Sequence, residues 1–342
     1  MIVKKIELSE LLRCYATRAF KVDNGLSLFY ASEEEGYPCY EFFGKDFSKK
    51  RIVWESGGGC MSIIPVPYKE NEFLAILDFY LKVTPSKARL VWGRKEDNQW
   101  VIKDVLHLPF LHRFEIFDIN GQLHFVGATI ADNKENKDDW SLPGSIYTGI
   151  FPNDFNEGLK ISKLSTGYYR NHGLTKHIND GREVVYMSSD CGVIEITPPY
   201  VDDWKVEKIL DGNISEIAIG DIDGDGLDEL ITIEPFHGDT IKIYKLDGDY
   251  YKHIYTYDNP IDFGHALVFC TLNGVATFLA GIRRCDCELV AFQFIDGKIK
   301  KKLIDTGVGP ANIYVYNEVD YDLILSACHT ENKAVVYVVE KK

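Results

Sequence analysis

The fold is first visible in HRFEIFDING, residues 112–121. Apolar and polar side chains largely alternate through this segment, which ends in an Asn-Gly pair. Alternation with a period of two predicts a half-buried β-strand, and Asn-Gly is a favoured pair at the centre of a tight β-hairpin turn. The segment therefore predicts a strand that runs directly into a hairpin.

Frames of the same length recur along the chain, and each holds a short apolar strand that leads into a turn. Their starts lie 43 to 60 residues apart, which is the length of one four-stranded blade of a β-propeller. The seven frames are ATRAFKVDNG (16–25), SIIPVPYKEN (62–71), HRFEIFDING (112–121), HGLTKHINDG (172–181), SEIAIGDIDG (215–224), HALVFCTLNG (265–274) and NIYVYNEVDY (312–321).

Most frames are followed by a second apolar strand, and further strand-like segments complete each unit. We therefore predict an all-β protein in which residues 1–342 form a single seven-bladed β-propeller domain. The segment 1–8 is expected to supply the outer strand that joins the last blade to the first. A β-sandwich, or two unrelated β domains, would require the repeated turn spacing to be accidental.

Composition excludes several classes of partner. The formal net charge of −14 argues against nucleic acid, because phosphate binding needs clustered Lys and Arg. No stretch approaches the roughly 18 apolar residues of a membrane-spanning helix, and the charged N-terminal segment does not fit a signal peptide. The eight cysteines are scattered through strand-like sequence, as expected for free thiols. These features predict a cytoplasmic protein with neither a nucleic-acid nor a membrane partner.

The turn of the fifth frame is extended to DIDGDGLDE, residues 221–229. Carboxylates at its odd positions, with a backbone carbonyl at the seventh, suit a hard cation such as Ca²⁺ or Mg²⁺. Because the loop joins two strands, its predicted role is structural, and the alternative is a solvated acidic turn. The predicted ligands are the side chains of Asp221, Asp223, Asp225 and Glu229 and the carbonyl of Leu227.

This loop resembles the FG-GAP/VCBS-type repeat, which occurs in propellers such as the integrin α head. The resemblance implies a bound cation in a hairpin of one blade. The ninth position is usually Asp in that family, whereas this chain has Glu229 there and Asp228 beside it. Which of the two carboxylates binds the cation is left open.

Five histidines are expected to meet at one mouth of the central channel. His112, His172 and His265 each begin a frame, whereas His237 and His329 follow second strands. The first strand of a blade starts at the rim where the second strand ends, so these positions share that rim.

Neutral imidazoles from separate strands are typical ligands of a divalent transition metal such as Zn or Mn. His112, His172 and His237 are the predicted ligands, with His265 as a fourth candidate. The alternative for each of them is a hydrogen-bonded residue that lines the channel.

A second resemblance covers the third to seventh blades. It rests on HRF (112–114), NHG (171–173), EPFHGD (234–239), FGH (263–265) and GVGPAN (307–312). Together these segments resemble the propeller domain of the aldos-2-ulose dehydratase family, also called 1,5-anhydro-D-fructose dehydratase. That family has metal ions in its propeller and eliminates water from keto-sugars. The chain ends after the propeller sequence, so the cupin and lectin-like domains of the fungal enzymes, and a later isomerisation, are not expected.

The resemblance implies a metal-dependent lyase or dehydratase that acts by β-elimination on a small keto-sugar or keto-glycoside in the channel. The metal would stabilise the enediolate formed when a base removes the proton beside the carbonyl. His329 and Tyr80 are the candidates for proton transfer, and Arg283 is a candidate for holding a substrate oxygen. Glu234 and Asp239 are the candidates for orienting a ligand imidazole.

A non-catalytic carbohydrate- or protein-binding propeller is the alternative function. Trp54, Trp92 and Trp140 would then supply stacking surfaces, although strand tryptophans more often pack between blades. A scaffold whose histidines are incidental is a third possibility. A transition metal in the purified protein favours the enzyme, whereas a hard cation alone favours a binding module.

Overall fold

A computed structural model of the protein describes residues 3–23, 25–82, 85–179 and 181–341. Its regular structure is almost entirely β-strand, arranged in seven antiparallel sheets of four strands. Each sheet is one blade of a ring, so the predicted seven-bladed β-propeller is confirmed. Within the described ranges, no helix has the length and apolar character that crossing a membrane requires.

The strands of a blade follow chain order from the channel outward. A single strand, β1 (Val3–Glu10), precedes the first blade. Blade 1 contains β2 (Cys14–Val22), β3 (Gly25–Ser32), β4 (Cys39–Phe43) and β5 (Lys49–Trp54). Blade 2 contains β6 (Cys60–Pro65), β7 (Glu72–Leu77), β8 (Arg89–Glu96) and β9 (Gln99–His107). Blade 3 contains β10 (Leu111–Ile119), β11 (Gln122–Thr129), β12 (Gly144–Ile150) and β13 (Lys160–Tyr168).

The remaining blades have the same order. Blade 4 contains β14 (Leu174–Asn179), β15 (Arg182–Ser189), β16 (Gly192–Thr197) and β17 (Lys205–Leu210). Blade 5 contains β18 (Glu216–Gly220), β19 (Glu229–Glu234), β20 (Thr240–Asp247) and β21 (Tyr250–Thr256). Blade 6 contains β22 (Asp262–Leu272), β23 (Val275–Arg284), β24 (Leu289–Ile295) and β25 (Lys298–Asp305). Blade 7 contains β26 (Pro310–Asn317), β27 (Tyr321–Cys328) and β28 (Lys333–Glu340), and 3₁₀ helices lie at Lys45–Phe47, Pro85–Lys87 and Phe155–Glu157.

The ring closes through the N-terminal strand. β1 pairs antiparallel with β28, with Val3 opposite Val339 and Ile6 opposite Val336, and so forms the outer strand of blade 7. Joining both ends of the chain in one sheet ties the last blade to the first. The expectation for segment 1–8 is thus confirmed from Val3 onward, whereas positions 1 and 2 lie outside the described residues.

Each predicted frame overlaps the innermost strand of one blade. The Asn-Gly turns have the expected backbone, since φ is 54° at Asn120, 83° at Gly121, 50° at Asn273 and 77° at Gly274. Positive φ at both central residues is the requirement of the type I′ turn, which matches the right-handed twist of the paired strands. The turns therefore send each second strand back toward the rim where the first began.

The hydrophobic core lies between the blades. Among the described residues, each junction between neighbouring blades has its own buried apolar cluster. Between blades 1 and 2, for example, Phe29 stacks on Phe20 at 4.4 Å between ring centroids and contacts Phe73 at 6.0 Å. Burial of such a side chain contributes roughly 2–3 kcal/mol. The packed junctions hold the innermost strands in place around the channel, and thereby position the side chains at its mouths.

Candidate active site

One mouth of the channel opens into a cavity of about 430 Å³, which we call the mouth cavity. Its lining includes all five histidines that the sequence analysis placed at this rim: His112, His172, His237, His265 and His329. The lining also includes the other two predicted catalytic residues, Tyr80 and Arg283. The blade geometry thus brings together residues that are more than 200 positions apart in the chain.

Four of these histidines form a compact group, called here the histidine cluster: His112, His172, His237 and His265. One donor atom from each of the last three lies within 4.8 Å of the other two. The Nε2 atoms of His172 and His237 are 3.2 Å apart, and the rings of His112 and His172 are 5.0 Å apart between centroids. His112 is buried, and neither of its ring nitrogens has a hydrogen-bond partner among the described residues.

The tautomer of His265 follows from its partners. Its Nδ1 lies 2.7 Å from the carbonyl oxygen of Ala311, and its Nε2 lies 3.0 Å from the hydroxyl of Tyr15. A carbonyl oxygen can only accept, so the proton is on Nδ1 and the lone pair is on Nε2. The hydroxyl of Tyr15 donates to that lone pair, and a metal bound at Nε2 would replace this hydrogen bond.

A carboxylate lies behind His172. Glu216 Oε2 is 3.2 Å from His172 Nδ1, in poor alignment for a hydrogen bond, and accepts a 2.9 Å hydrogen bond from Arg113 Nη2. Arg113 also donates through Nε to the backbone carbonyl of His172. Because a carboxylate attracts the N–H edge of an imidazole, the arrangement favours a proton on Nδ1 and a lone pair on Nε2, directed at His237.

His237 is held between two aromatic rings. Its imidazole stacks on Phe236 at 4.0 Å and on Phe263 at 4.3 Å between centroids. Its backbone has a φ of 49°, an uncommon conformation for a residue with a side chain. Stacking on both faces fixes the plane of the ring and leaves its edge for contacts within the histidine cluster.

Burial keeps the histidine cluster neutral. Removal from water is the main cause that lowers the pKa of His112, His237 and His265 well below the ordinary value, and the other imidazoles and nearby arginines add to it. The pKa of His172 is also lowered by burial, although Glu216 opposes the shift. Neutral imidazoles at pH 7 present lone pairs to a cation.

The residues of the histidine cluster fit a divalent transition metal. Three converging imidazole nitrogens are the ligand set that Zn and similar ions take in catalytic sites, and a carboxylate behind one of them is a usual supporting contact. One of the two unpartnered ring nitrogens of buried His112 would gain a partner if an ion were bound. His172, His237 and His265 would hold such an ion, with His112 as the fourth candidate.

A second group of polar side chains shares the mouth cavity, and we call it the arginine–glutamate network: Arg13, Glu33, Tyr80, Arg283 and His329. Glu33 Oε1 lies 2.6 Å from His329 Nε2 and 3.3 Å from Arg13 Nη1. Arg283 Nη2 lies 3.0 Å from His329 Nδ1 and 2.8 Å from its Nε2. Arg13 also donates to the hydroxyl of Tyr80.

The protonation states in this network suit proton transfer. Burial raises the pKa of Glu33, but the hydrogen bond to His329 and the nearby arginines lower it further than burial raises it, so Glu33 is ionised. Burial lowers the pKa of His329, which is therefore neutral at pH 7. Burial and Glu33 raise the pKa of Tyr80, which keeps its proton. Since Arg13 can only donate, the Tyr80 oxygen accepts from it and the Tyr80 proton remains available to another acceptor.

Two predicted supporting residues lie away from the imidazoles. Glu234 accepts hydrogen bonds from Thr232, Tyr244 and Lys242 within its own blade. Asp239 is exposed and accepts from the hydroxyl of Thr240. The described contacts of neither residue include an imidazole, because Glu234 ends β19 and Asp239 directly precedes β20, which is farther from the channel. The carboxylate behind His172 comes instead from the innermost strand of the same blade, at Glu216.

The three tryptophans of the alternative function are in different surroundings. Trp54 and Trp92 are buried between blades, and Trp92 donates from its indole nitrogen to Glu72. Trp140 is half-buried in the lining of the mouth cavity and contacts Phe236 at 5.3 Å between centroids. Only Trp140 of the three is therefore placed to contact a ligand there.

The acidic loop 221–229 brings Asp221, Asp223 and Asp225 together, with donor atoms within 4.8 Å of one another. The ammonium of Lys245 lies among the carboxylates of this loop, 2.7 Å from Asp225 and 3.0 Å from Glu229, and it also contacts Asp223. These contacts raise the pKa of Lys245 above its ordinary value in spite of the opposing effect of burial. A Ca²⁺ or Mg²⁺ ion would have to displace this internal cation.

The carboxylates of Asp228 and Glu229, at the eighth and ninth positions of the acidic loop, have different contacts. Glu229 is fully buried, and its Oε2 accepts a 2.9 Å hydrogen bond from the backbone nitrogen of Ile222 inside the loop. Asp228 lies 2.7 Å from His177 Nε2, outside the loop. Leu227 is 45% exposed, and its nitrogen donates to Asp225. Glu229, rather than Asp228, therefore faces the other loop carboxylates.

Several residues of the site were missed by sequence reasoning: Arg13, Tyr15, Glu33, Arg113 and Glu216. Arg113 and Glu216 are charged residues at the second position of their frames, where the other frames have apolar or small residues or Thr17, and that signal was available. Glu33 directly follows β3, as His329 directly follows β27, the second strand of its own blade. Tyr15 has no such signal, because it lies one residue before its frame.

Neither a protein-family model nor a curated protein sequence matches the chain. Among solved structures, the chain is similar to Sqt1 of Saccharomyces cerevisiae, with a TM-score of 0.60 and 10% sequence identity. The match covers 99% of this chain and 98% of that chain. At this identity the similarity shows the fold alone, and both family resemblances stay predictions.

Proposed function

We propose that the mouth cavity is the active site of a carbon–oxygen lyase that acts on a carbonyl-bearing sugar by β-elimination. The observation that supports this most directly is that the histidine cluster and the arginine–glutamate network line the same cavity. Three neutral, converging imidazoles suit a metal, and beside them lie a neutral histidine paired with a carboxylate and a protonated tyrosine. This combination supplies a cation site, a base and an acid within one small enclosure.

In this proposal His329 is the base. Its Nε2 faces the ionised Glu33, so that nitrogen carries the proton and Nδ1 has the lone pair. His329 Nδ1 takes the proton beside the substrate carbonyl, and the positive charge that develops on the ring is stabilised by Glu33. The electron pair of that C–H bond forms a carbon–carbon double bond as the carbon–oxygen bond at the next carbon breaks.

Tyr80 is the acid in the same reaction. Its hydroxyl accepts from Arg13 and gives its own proton to the departing oxygen, which leaves as water or as an alcohol. Arg13 stabilises the phenolate until exchange with water restores both groups. A divalent transition metal held by the histidine cluster would supply Lewis-acid polarisation of the substrate carbonyl.

The alternative is a binding propeller without catalysis, with carbohydrate or protein as its ligand. Trp140 and Phe236 favour it, because they are half-buried aromatic rings in the lining of the cavity, and aromatic rings stack on sugars and on protein side chains alike. Such a function does not need the unpartnered nitrogens of His112 or the ionised Glu33 beside neutral His329.

The test is elemental analysis of the purified protein, followed by ultraviolet detection of enone formation from keto-sugars and 3-keto-glycosides. We expect about one equivalent of a transition metal per chain in the wild type. His172→Ala should lose that metal and the elimination activity with little change in fold, because the substitution removes one ligand of the cluster.

His107→Ala is the matched control, since His107 lies on the outer strand β9 with 68% of its side chain exposed. It should keep both the metal and the activity. Full metal content together with undiminished turnover in His172→Ala would contradict the proposal. Metal binding without enone formation from any of these substrates would leave the binding propeller as the better account.

A further inference from the structure

The charge of the mouth cavity is opposite to that of the protein. The whole chain carries a formal net charge of −14. The lining of the mouth cavity nevertheless has five cationic side chains and two carboxylates: Arg13, Lys82, Lys137, Arg283, Arg284, Glu33 and Asp138. An acidic protein repels anions at long range, so a local cationic surface at the entrance of its cavity focuses anions toward that one place.

Carboxylates pair with Arg13, but among the described residues none is within hydrogen-bond distance of Arg283. Glu33 is shared by Arg13 at 3.3 Å and His329 at 2.6 Å, and it lies 4.0 Å from Arg283. Arg13 has a second carboxylate, Glu34, at 2.9 Å. Arg283 has only 15% of its side chain exposed, yet among the described residues it has no carboxylate within hydrogen-bond distance. A largely buried guanidinium with unused donors is the usual partner of a planar or tetrahedral oxyanion.

A second arginine extends this surface toward solvent. Arg284 is 60% exposed, and its nearest carboxylate is Asp262 at 3.4 Å. The guanidinium carbons of Arg283 and Arg284 lie 4.6 Å and 4.5 Å from the centroid of the Phe263 ring. Both guanidinium groups are thus anchored on one aromatic ring, which limits the side-chain freedom that is lost when an anion binds.

We infer that the ligand of the mouth cavity is a sugar bearing an oxyanion, a carboxylate or a phosphate, which is bound by Arg283 and Arg284. This inference rests on the proposed function for its sugar and names the chemical class of that substrate. It also gives Arg283 a positioning role. In the free protein Arg283 Nη2 lies 3.0 Å from His329 Nδ1, and an anion that accepts this N–H instead leaves His329 Nδ1, the nitrogen assigned as base, free to take a proton.

The test is a titration of the purified protein by calorimetry with D-glucuronate, D-glucose 6-phosphate and D-glucose in low salt. The measurement needs no turnover, so its outcome is separate from that of the elimination assay. We expect at least one anionic sugar to bind roughly tenfold or more tightly than D-glucose, and the preference to weaken as salt is raised. Preference for glucuronate alone assigns a carboxylate, and preference for the phosphate alone assigns a phosphoryl group.

The variants are Arg284→Gln and, as matched control, Arg182→Gln, since Arg182 follows a hairpin turn at the opposite face of the ring. Arg284→Gln should reduce the preference for the anionic sugar several-fold, and Arg182→Gln should leave it unchanged. Equal binding of D-glucose and both anionic sugars, absence of binding by either anion, or an equal effect of the two substitutions would overturn the inference. Anion-specific binding without any elimination would retain the inference and reject the proposed function.

Discussion

The buried pair Arg113–Glu216 permits a quantitative test of how the histidine cluster is supported. Glu216 has 5% and Arg113 15% of its side chain exposed, and they share a 2.9 Å charge-assisted hydrogen bond. Glu216→Leu leaves the Arg113 guanidinium buried without its carboxylate and removes the carboxylate behind His172. Loss of one partner from a buried ion pair costs about 3–5 kcal/mol.

We therefore expect Glu216→Leu to lower the free energy of unfolding by about 3 kcal/mol or more, measured by denaturant titration at neutral pH. In the double variant Arg113→Met/Glu216→Leu the unpaired charge is gone, and most of the loss should be recovered because apolar replacements of a buried pair are often close to neutral. Metal affinity should behave differently. It should fall about 10- to 100-fold in both variants, since neither has a carboxylate behind His172.

The unfolding free energy reports the effect of Glu216 on stability, whereas the metal affinity reports its effect on the His172 imidazole. A loss of less than about 1 kcal/mol in Glu216→Leu, with no recovery in the double variant, would refute the conclusion that Glu216 compensates the buried charge of Arg113. Recovery of metal affinity together with stability would refute the supporting role of Glu216 at His172.

Two further predictions concern other parts of the molecule. The pKa of Glu33 in the folded protein is below its ordinary value of 4.5, so the stabilisation by ionised Glu33 is complete at neutral pH and is lost as the pH falls from about 4.5 through the lower folded value. The difference in unfolding free energy between wild type and Glu33→Gln should therefore shrink toward about pH 3. A difference that does not change with pH would contradict an ionised Glu33 with a lowered pKa. Lys245→Met removes the ammonium group that lies among the carboxylates of the acidic loop, so the midpoint of the Ca²⁺-dependent rise in Tm should move to a roughly tenfold lower Ca²⁺ concentration. Adding Asp223→Asn to this variant should abolish the rise. An unchanged midpoint in Lys245→Met would show that Lys245 and the ion do not compete.

Much of the architecture was predictable because its cause is local. Turn residues such as Asn120 and Gly121 favour a hairpin through their own backbone preferences, and the alternation of side chains before them follows from the pleat of a strand. Seven repetitions of these signals specify the number of blades. The same reasoning placed His112, His172 and His265 at one rim, because equivalent positions of repeated units are equivalent in space.

The partners of these histidines were only partly predictable. Glu234 and Asp239 are near His237 in the chain, but their side chains accept hydrogen bonds from Thr232 and Thr240. Polar partners of two of the imidazoles come from other blades: Glu216 lies beside His172, and Tyr15 lies beside His265. Closeness along the chain therefore does not predict which residues contact each other at a channel mouth where seven separate strands converge.

The sequence by itself determined the seven-bladed ring and the common rim of the histidines, because both depend on periodic patterns and turn chemistry that repeat about every fifty residues of chain. Only the tertiary structure decided which side chains touch across the channel, which of them are neutral, and that Lys245 lies among the carboxylates of the acidic loop. Those properties depend on distances between blades and on removal from water, and both are set by the packed junctions around the whole ring.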